Sequence, residues 1–190
     1  MQAVVWMSGA LLSFCLMTIG IRELSGFIPV SQTLFIRSVI GVVLVASIIF
    51  FNKQASELKT KRKRLHVFRN VFHLGAQYCW FLAIGLLPLA QVFALEFTVP
   101  IWTAIIASLF LKEDITQRKL AAISLGFLGV LIIVRPGLEV FDTGALVALF
   151  AAILFAISHS ATKALSSSEP PTIIIFYMCL IQLPLAFAFS

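Results

Sequence analysis

The run AQVFALEFTVPIWTAIIASLFL, residues 90–111, decides the fold class of this chain. It is 22 residues long and contains one ionisable side chain, Glu96. About 20 predominantly apolar residues in a helix cross the hydrocarbon core of a bilayer, so this run predicts a membrane-spanning helix. A charged group at mid-bilayer depth is unfavourable by roughly 2.5–3.5 kcal/mol on insertion scales, which makes Glu96 a candidate functional residue.

Apolar runs of similar length recur along the whole chain and predict seven membrane spans. They cover 3–21, 31–51, 70–88, 90–111, 118–135, 143–163 and a last segment from near Pro171 to Ser190. The composition agrees, since 61% of the residues are hydrophobic, 12% are charged and the mean hydropathy is +1.06. These values exclude an ordinary soluble domain. We therefore predict an all-α polytopic membrane protein with about seven transmembrane helices.

The basic residues lie mostly at one side of the predicted membrane. On that side the connections and the adjoining span ends hold Lys53, Lys59, Lys61, Arg62, Lys63, Arg64, Arg69, Lys112, Arg118, Lys119 and Lys163. The other side holds only Arg22 and Arg135. The positive-inside rule then predicts a cytoplasmic N-terminus. We interpret the basic run 61–64 as a topology determinant near anionic headgroups rather than a nucleic-acid patch, and we expect no nucleic-acid partner.

The fourth predicted span carries a polar face. Glu96, Pro100, Thr103 and Ala107 follow helical spacing and share that face. Pro100 has no amide hydrogen and its ring clashes with the carbonyl of residue 96, so a carboxylate and a freed carbonyl lie at one place. Such backbone is tolerated at this depth where it is buried or lines a cavity. We favour a cavity over the alternative, a packing kink with Glu96 tied to a neighbouring helix.

Two neighbouring spans supply further candidates. Arg37 lies at a depth comparable to that of Glu96, so three interpretations stay open: an ion pair that acts as a structural clamp, a substrate contact, or snorkelling to the interface. Gln77 and Trp80 share one stripe of the third span, where they would line a small-molecule pocket or simply pack. The predicted substrate-binding set consists of Arg37, Gln77, Trp80, Glu96, Pro100 and Thr103.

Residue patterns of other chemistries are not seen. The three histidines and three cysteines have no metal-ligand or disulfide spacing, and no nucleophile–base constellation is visible. We therefore expect no catalytic residue, no metal, no cofactor and no enzymatic activity. The expected partners are a small-molecule substrate, membrane lipids and, if Glu96 binds and releases a proton during transport, protons as coupling ion.

Residues 81–137 resemble the EamA domain of the drug/metabolite transporter superfamily. The resemblance rests on FLAIGLLPLA (81–90), FTVPI (97–101), LKED (111–114) and GFLGVLIIVRPG (126–137), with FIR (35–37) in the second span. It implies ten spans in two inverted five-span repeats around a central cavity, and alternating-access transport of metabolites or toxic compounds. It also implies a multi-pass protein of the bacterial inner membrane. The first repeat is then 3–135, and 143–190 is the start of a truncated second repeat.

An internal echo agrees with two repeats. Gly9-Ala10-Leu11-Leu12 opens the first span and Gly144-Ala145-Leu146-Val147 opens the sixth. A five-span unit has an odd number of helices, so its second copy enters the membrane inverted. Because the family's cavity draws on both halves, we expect either a missing C-terminal half or a dimer partner. The alternative function is a truncated, non-transporting membrane subunit that needs a partner chain.

Overall fold

A computed structural model describes residues 2–53, 58, 60–111, 116–134 and 143–189. The described residues form eight α-helices and no β-strand. The helices are α1 (Gln2–Leu24), α2 (Val30–Phe51), α3 (Lys63–Leu86), α4 (Leu89–Glu96), α5 (Val99–Leu111), α6 (Gln117–Val134), α7 (Thr143–Ser166) and α8 (Pro171–Ala188). Lys59, Lys112 and Arg135, with residues 113–114 and 136–137 of the family motifs, lie outside the described residues.

Five helical segments of the described chain are long and apolar enough to cross a membrane. They are Val4–Leu24, Val30–Phe51, Leu89–Phe110, Thr143–Ser166 and Pro171–Ala188. The third of these contains both α4 and α5. The prediction of an all-helical polytopic membrane protein is therefore confirmed.

Helix α3 is long enough to span the membrane but more polar than the other spans, because it lies inside the bundle. At 24 residues it extends for about 36 Å at 1.5 Å per residue. It packs mainly against α7, whose alanines at 148, 151, 152 and 156 are all buried and permit close approach of the two helices. By contrast, most side chains of α1 and α6 are exposed, which suits helices that face lipid.

Arg62, one residue of the basic run 61–64, connects the start of α3 to the C-terminal end of α7, while the position of the run near headgroups stays a prediction. Helix α3 begins at Lys63 rather than at residue 70. Arg62 lies just before it, and its Nη1 donates to the carbonyl oxygen of Ala164 at 2.5 Å and to Oγ of Ser168 at 3.3 Å. A basic side chain near a helix C-terminus satisfies carbonyls that have no helical partner. The sequence pattern alone could not show that the end of α7 is this close.

A polar clamp continues this contact, and we define it as Thr60, Arg62, His66 and Glu169. Nε2 of His66, a fully buried residue, lies 2.5 Å from Oε2 of Glu169. Thr60 donates its hydroxyl to the other carboxylate oxygen of Glu169. The clamp therefore ties the connection between α2 and α3 to the turn between α7 and α8.

The fourth span was expected to be continuous over 90–111, but it breaks at Phe97 and Thr98. The carbonyl oxygen of Leu95 accepts from the amide of Thr98 at 3.1 Å and from its hydroxyl at 2.6 Å. Pro100 has no amide hydrogen to donate to the carbonyl of Glu96, so the regular ladder cannot continue through this point. The threonine side chain and the proline together end α4 and start α5.

Replacing Glu169 with alanine should destabilise the protein because the buried imidazole of His66 would lose its partner. We expect a loss of about 1–3 kcal/mol in the free energy of unfolding, the usual penalty for an unsatisfied buried polar group. Thermal unfolding followed by circular dichroism in detergent measures it. Glu23→Ala is the matched control, because Glu23 is an exposed carboxylate outside the clamp. Equal losses in both variants would contradict the assigned role of the clamp.

Candidate functional site

The predicted polar face of the fourth span borders a large cavity. This cavity has a volume of about 990 Å³ and lies between α1, α4, α5, α6 and α7. Glu96, Pro100, Thr103 and Ala107 all line it. Ile105 and Leu109, on the opposite side of α5, are exposed. The structure thus brings three of the six predicted substrate-binding residues to one cavity, while their role in binding stays a prediction.

Aromatic and basic side chains complete the lining of this cavity. Phe14 from α1 and Phe93 and Phe97 from the fourth span form an aromatic wall. Sequence reasoning missed Lys119 on α6 and three residues of α7, which are His159, Ser160 and Lys163. The spacing of four between His159 and Lys163 is a helical signal that places both on one face of α7. The sequence could therefore have shown that His159 and Lys163 share a face of α7, but not that this face borders the same cavity as Glu96.

Trp80 holds the carboxylate of Glu96 at the cavity wall. Its indole Nε1 donates to Oε2 of Glu96 at 2.9 Å. The indole ring stacks on Phe14, with ring centroids 5.4 Å apart and an interplanar angle of 27°. Trp80 is only 3% exposed, whereas Glu96 is half-buried. A buried tryptophan therefore orients a carboxylate that remains partly accessible from the cavity.

Thr103 is a second polar residue in the lining of the cavity. Its Oγ1 is buried and has no hydrogen-bond partner within the described part of the chain. A buried hydroxyl without a partner is unfavourable by about 1–3 kcal/mol, so a ligand group that bonds to it would gain from that contact. Thr103 and Glu96 are the polar side chains that α4 and α5 contribute to the lining of the cavity.

Arg37 and Gln77 belong to a different cluster, which is buried between α2, α3 and α8. We call the chain Arg37–Gln77–Gln182–His73 the amide relay. With the Gln77 amide oriented to satisfy its neighbours, its Oε1 accepts from Nη1 of Arg37 and from Nη2 at 3.2 Å. Its nitrogen donates to Oε1 of Gln182 at 3.2 Å. Nε2 of Gln182 then lies 2.9 Å from Nδ1 of His73.

The amide relay excludes one of the three interpretations of Arg37, namely snorkelling to the interface. Its guanidinium turns inward to Gln77, so it does not snorkel to the interface. In the described part of the chain, Arg37 and Glu96 do not form an ion pair with each other. The hydrogen-bond partner of Arg37 in the described part of the chain is thus Gln77 rather than Glu96. Its assignment to substrate binding, and that of Gln77, stay predictions.

The relay also sets the tautomer of His73. Arg37 can only donate, so the oxygen of Gln77 faces it and the nitrogen of Gln77 faces Gln182. The same argument turns the nitrogen of Gln182 towards His73, whose Nδ1 must accept. The imidazole proton is therefore on Nε2, and the ring is neutral. A cation at one end of the relay fixes a proton position at the other.

The histidine, cysteine and acidic residues that the structure describes were the candidate metal ligands of the chain. Among them, no group of three or more could hold a metal ion. Cys15, Cys79 and Cys179 are free thiols.

Replacing Gln182 with glutamate should reverse the tautomer of His73. A carboxylate cannot donate to Nδ1, so the imidazole proton must move there to keep the hydrogen bond. Nitrogen NMR of histidine-labelled protein should show Nε2 protonated in the original chain and Nδ1 protonated in Gln182→Glu. His73→Phe assigns the resonance, and Gln32→Glu controls for added charge at an exposed site. A proton on Nδ1 before substitution would mean that the relay runs in the opposite direction.

The family profile and the relatives that match this chain all describe transporters. The profile of the EamA-like transporter family matches residues 1–135. A riboflavin transporter of Brucella anthropi is 32% identical over 158 residues, which are 83% of this chain and 55% of that protein. An S-adenosylmethionine uptake transporter of Rickettsia bellii is 26% identical over 141 residues, 74% of this chain and 48% of that protein.

A pseudopaline exporter of Pseudomonas aeruginosa is 29% identical over 168 residues, 87% of this chain and 58% of that protein. The chain thus spans about half the length of the curated relatives that it matches. No solved structure gives a significant match. The family match covers more than half of the chain and agrees with the motifs in residues 81–137, and the chain therefore belongs to the EamA-like transporter family.

Proposed function

We propose that this protein is a secondary transporter that moves a small metabolite or toxic compound across the membrane by alternating access. The observation that carries the proposal is the half-buried Glu96 at a helix break on the wall of the 990 Å³ cavity. Small-molecule pockets occupy about 300–1,000 Å³, so the volume suits a metabolite. Discontinuous helices and embedded charges mark substrate and ion sites in secondary transporters.

The relatives support transport over the alternative of a non-transporting subunit. Their names give riboflavin and S-adenosylmethionine as transported compounds and pseudopaline as an exported one. These compounds define the size class of the substrates to be tried, not the substrate of this protein. The same names favour a protein that is not an enzyme.

The proposed topology places the protein in the bacterial inner membrane with seven spans in this chain and a cytoplasmic N-terminus. The distribution of basic residues supports the orientation. In that orientation the polar clamp and both cavity lysines lie at the cytoplasmic side. We further propose that residues 3–135 form one repeat and that 143–190 begin an inverted second repeat, which a C-terminal half or a partner chain would complete.

Each side chain of the site has a proposed role. Glu96 receives a proton or a donor group of the substrate, Trp80 orients the carboxylate, and Thr103 bonds to the bound molecule. Pro100 maintains the break at which α5 can tilt relative to α4. The amide relay ties α2, α3 and α8 together.

Replacing Glu96 with glutamine should lower transport and abolish its proton dependence. We expect the initial rate of flux to fall at least about tenfold, the scale on which losing one transition-state interaction acts. The measurement uses proteoliposomes, labelled riboflavin or S-adenosylmethionine, and external pH values from 5.5 to 8.5 (about three units, to bracket carboxyl and histidine titration).

Glu23→Gln is the matched control, because it removes an exposed carboxylate that lies outside the cavity lining. If Glu96→Gln keeps the pH profile of the original protein, Glu96 is not the proton-coupling group. If the original protein moves no member of a metabolite panel faster than empty liposomes, the non-transporting subunit becomes the better description.

A further inference from the structure

The carboxylate of Glu96 has no positively charged partner in the described part of the chain. Its polar contact is the hydrogen bond from the indole of Trp80, which is neutral and therefore leaves the negative charge uncancelled. No basic side chain that the structure describes forms an ion pair with Glu96. A charge inside the hydrocarbon core is unfavourable without a partner, so a cation that reached this carboxylate would gain more than at an exposed acid.

The backbone at the break in the fourth span carries charge of the same sign as the carboxylate. Glu96 is the last residue of α4. The C-terminal end of a helix has a partial negative charge, because its last carbonyls have no helical partner. Pro100 adds to this effect, since it has no amide hydrogen to donate to the carbonyl of Glu96. The peptide dipoles at the break therefore favour a cation and disfavour an anion.

Three aromatic rings adjoin one another beside this carboxylate. Phe14 stacks on Trp80 and also packs against Phe93, with the centroids of the two phenylalanine rings 5.8 Å apart and an interplanar angle of 59°. Phe14, Phe93 and Phe97 line the same cavity as Glu96. The face of an aromatic ring attracts a cation, and the attraction is strongest where water is excluded. The carboxylate, the helix end and the ring faces thus favour the same sign of ligand charge.

The two lysines of the lining lie at one end of the bundle and do not neutralise this carboxylate. Lys119 is in the first turn of α6 and Lys163 is in the last turn of α7. Both lysines already interact with other groups of the protein. Ala156 of α7 packs beside the start of α5, and Lys163 lies about 10 Å further along the helix at 1.5 Å per residue. His159 lies between these two levels of α7.

We propose that the cavity binds an organic cation with an apolar body, whose positive charge lies between the carboxylate of Glu96 and the rings of Phe14 and Phe93. The apolar body occupies the rest of the cavity, where α1, α5 and α6 contribute mostly aliphatic and aromatic side chains. This inference rests on the proposed function and deepens it, because it names the substrate class of the same cavity.

Three pyrene derivatives test which sign of charge the cavity prefers. Pyrenylmethyl-trimethylammonium is a cation, pyrenemethanol is neutral and pyrenecarboxylate is an anion, while the planar ring is the same in all three. The full chain is reconstituted in phosphatidylcholine vesicles, and the saturable part of the energy transfer from tryptophan to pyrene measures equilibrium binding. We expect the cation to bind at least about tenfold more tightly than the other two, because it gains from both the carboxylate and the ring faces.

Two substitutions assign the preference to the proposed groups. Glu96→Gln removes the charge but keeps the size of the side chain, and it should weaken binding of the cation at least about tenfold. Phe93→Leu removes one ring face but keeps an apolar side chain, and it should weaken binding of the cation about threefold. Pyrenemethanol should be affected less in both variants, and its binding shows that each variant is folded. Glu23→Gln and Phe150→Leu are the matched controls at exposed positions outside the cavity lining, and they should change neither affinity.

Several outcomes would overturn the inference. They are equal binding of the three probes, tighter binding of the neutral probe or the anion, and binding of none. An unaltered cation preference in Glu96→Gln or in Phe93→Leu would also overturn it, as would equal losses in a variant and its matched control. Binding requires no flux, so a cation preference without transport would contradict only the proposed function. Transport without the preference would contradict only this inference.

Discussion

The absence of water from the hydrocarbon core is the constraint on which this structure depends. A polar group there must find its partner inside the protein. Helix α3 carries several polar side chains and is accordingly the helix that the bundle encloses. Several of these side chains have polar partners outside α3. His66 contacts Glu169 in the turn between α7 and α8, and Arg69 donates to Thr162 at 3.0 Å. Gln77 bonds to both Arg37 and Gln182. These contacts set which helices are adjacent, while the apolar surfaces supply the packing between them.

The same constraint explains why the candidate site lies where the fourth span is interrupted. A break in the fourth span leaves backbone groups that lipid cannot satisfy, so the break must be buried or must border a polar cavity. Thr98 satisfies one carbonyl with its own hydroxyl and amide, and Trp80 satisfies the carboxylate of Glu96. Glu96, Pro100 and Thr103 line the cavity close to this break. Pro100 therefore contributes both to the break between α4 and α5 and to the lining of the cavity.

Sequence reasoning reached the parts of this structure that depend on one helix at a time. Span length and hydropathy gave the all-helical membrane fold, and helical spacing put Glu96, Pro100 and Thr103 on the face that borders the cavity. It could not predict contacts that depend on how one helix is oriented relative to another. The partner of Arg37 depends on the rotation of α3 about its axis, and equal depth alone could not distinguish Glu96 from Gln77. The approach of Lys119 and Lys163 to the cavity likewise depends on how α6 and α7 are oriented. The early start of α3 was missed because its basic first turn reads as a loop until Glu169 and Ala164 are placed beside it.

Helix α3 is also the element that the amide relay and the cavity share. Gln77 and Trp80 are three residues apart, which places them on one face of α3 within a single turn. Gln77 bonds to α2 and α8, and Trp80 bonds to α4. A molecule that competes with Trp80 for the carboxylate of Glu96 would break this hydrogen bond but leave the apolar packing between α3 and α4, and the relay, in place. One turn of α3 thus connects the wall of the cavity, at the break in the fourth span, to the amide relay.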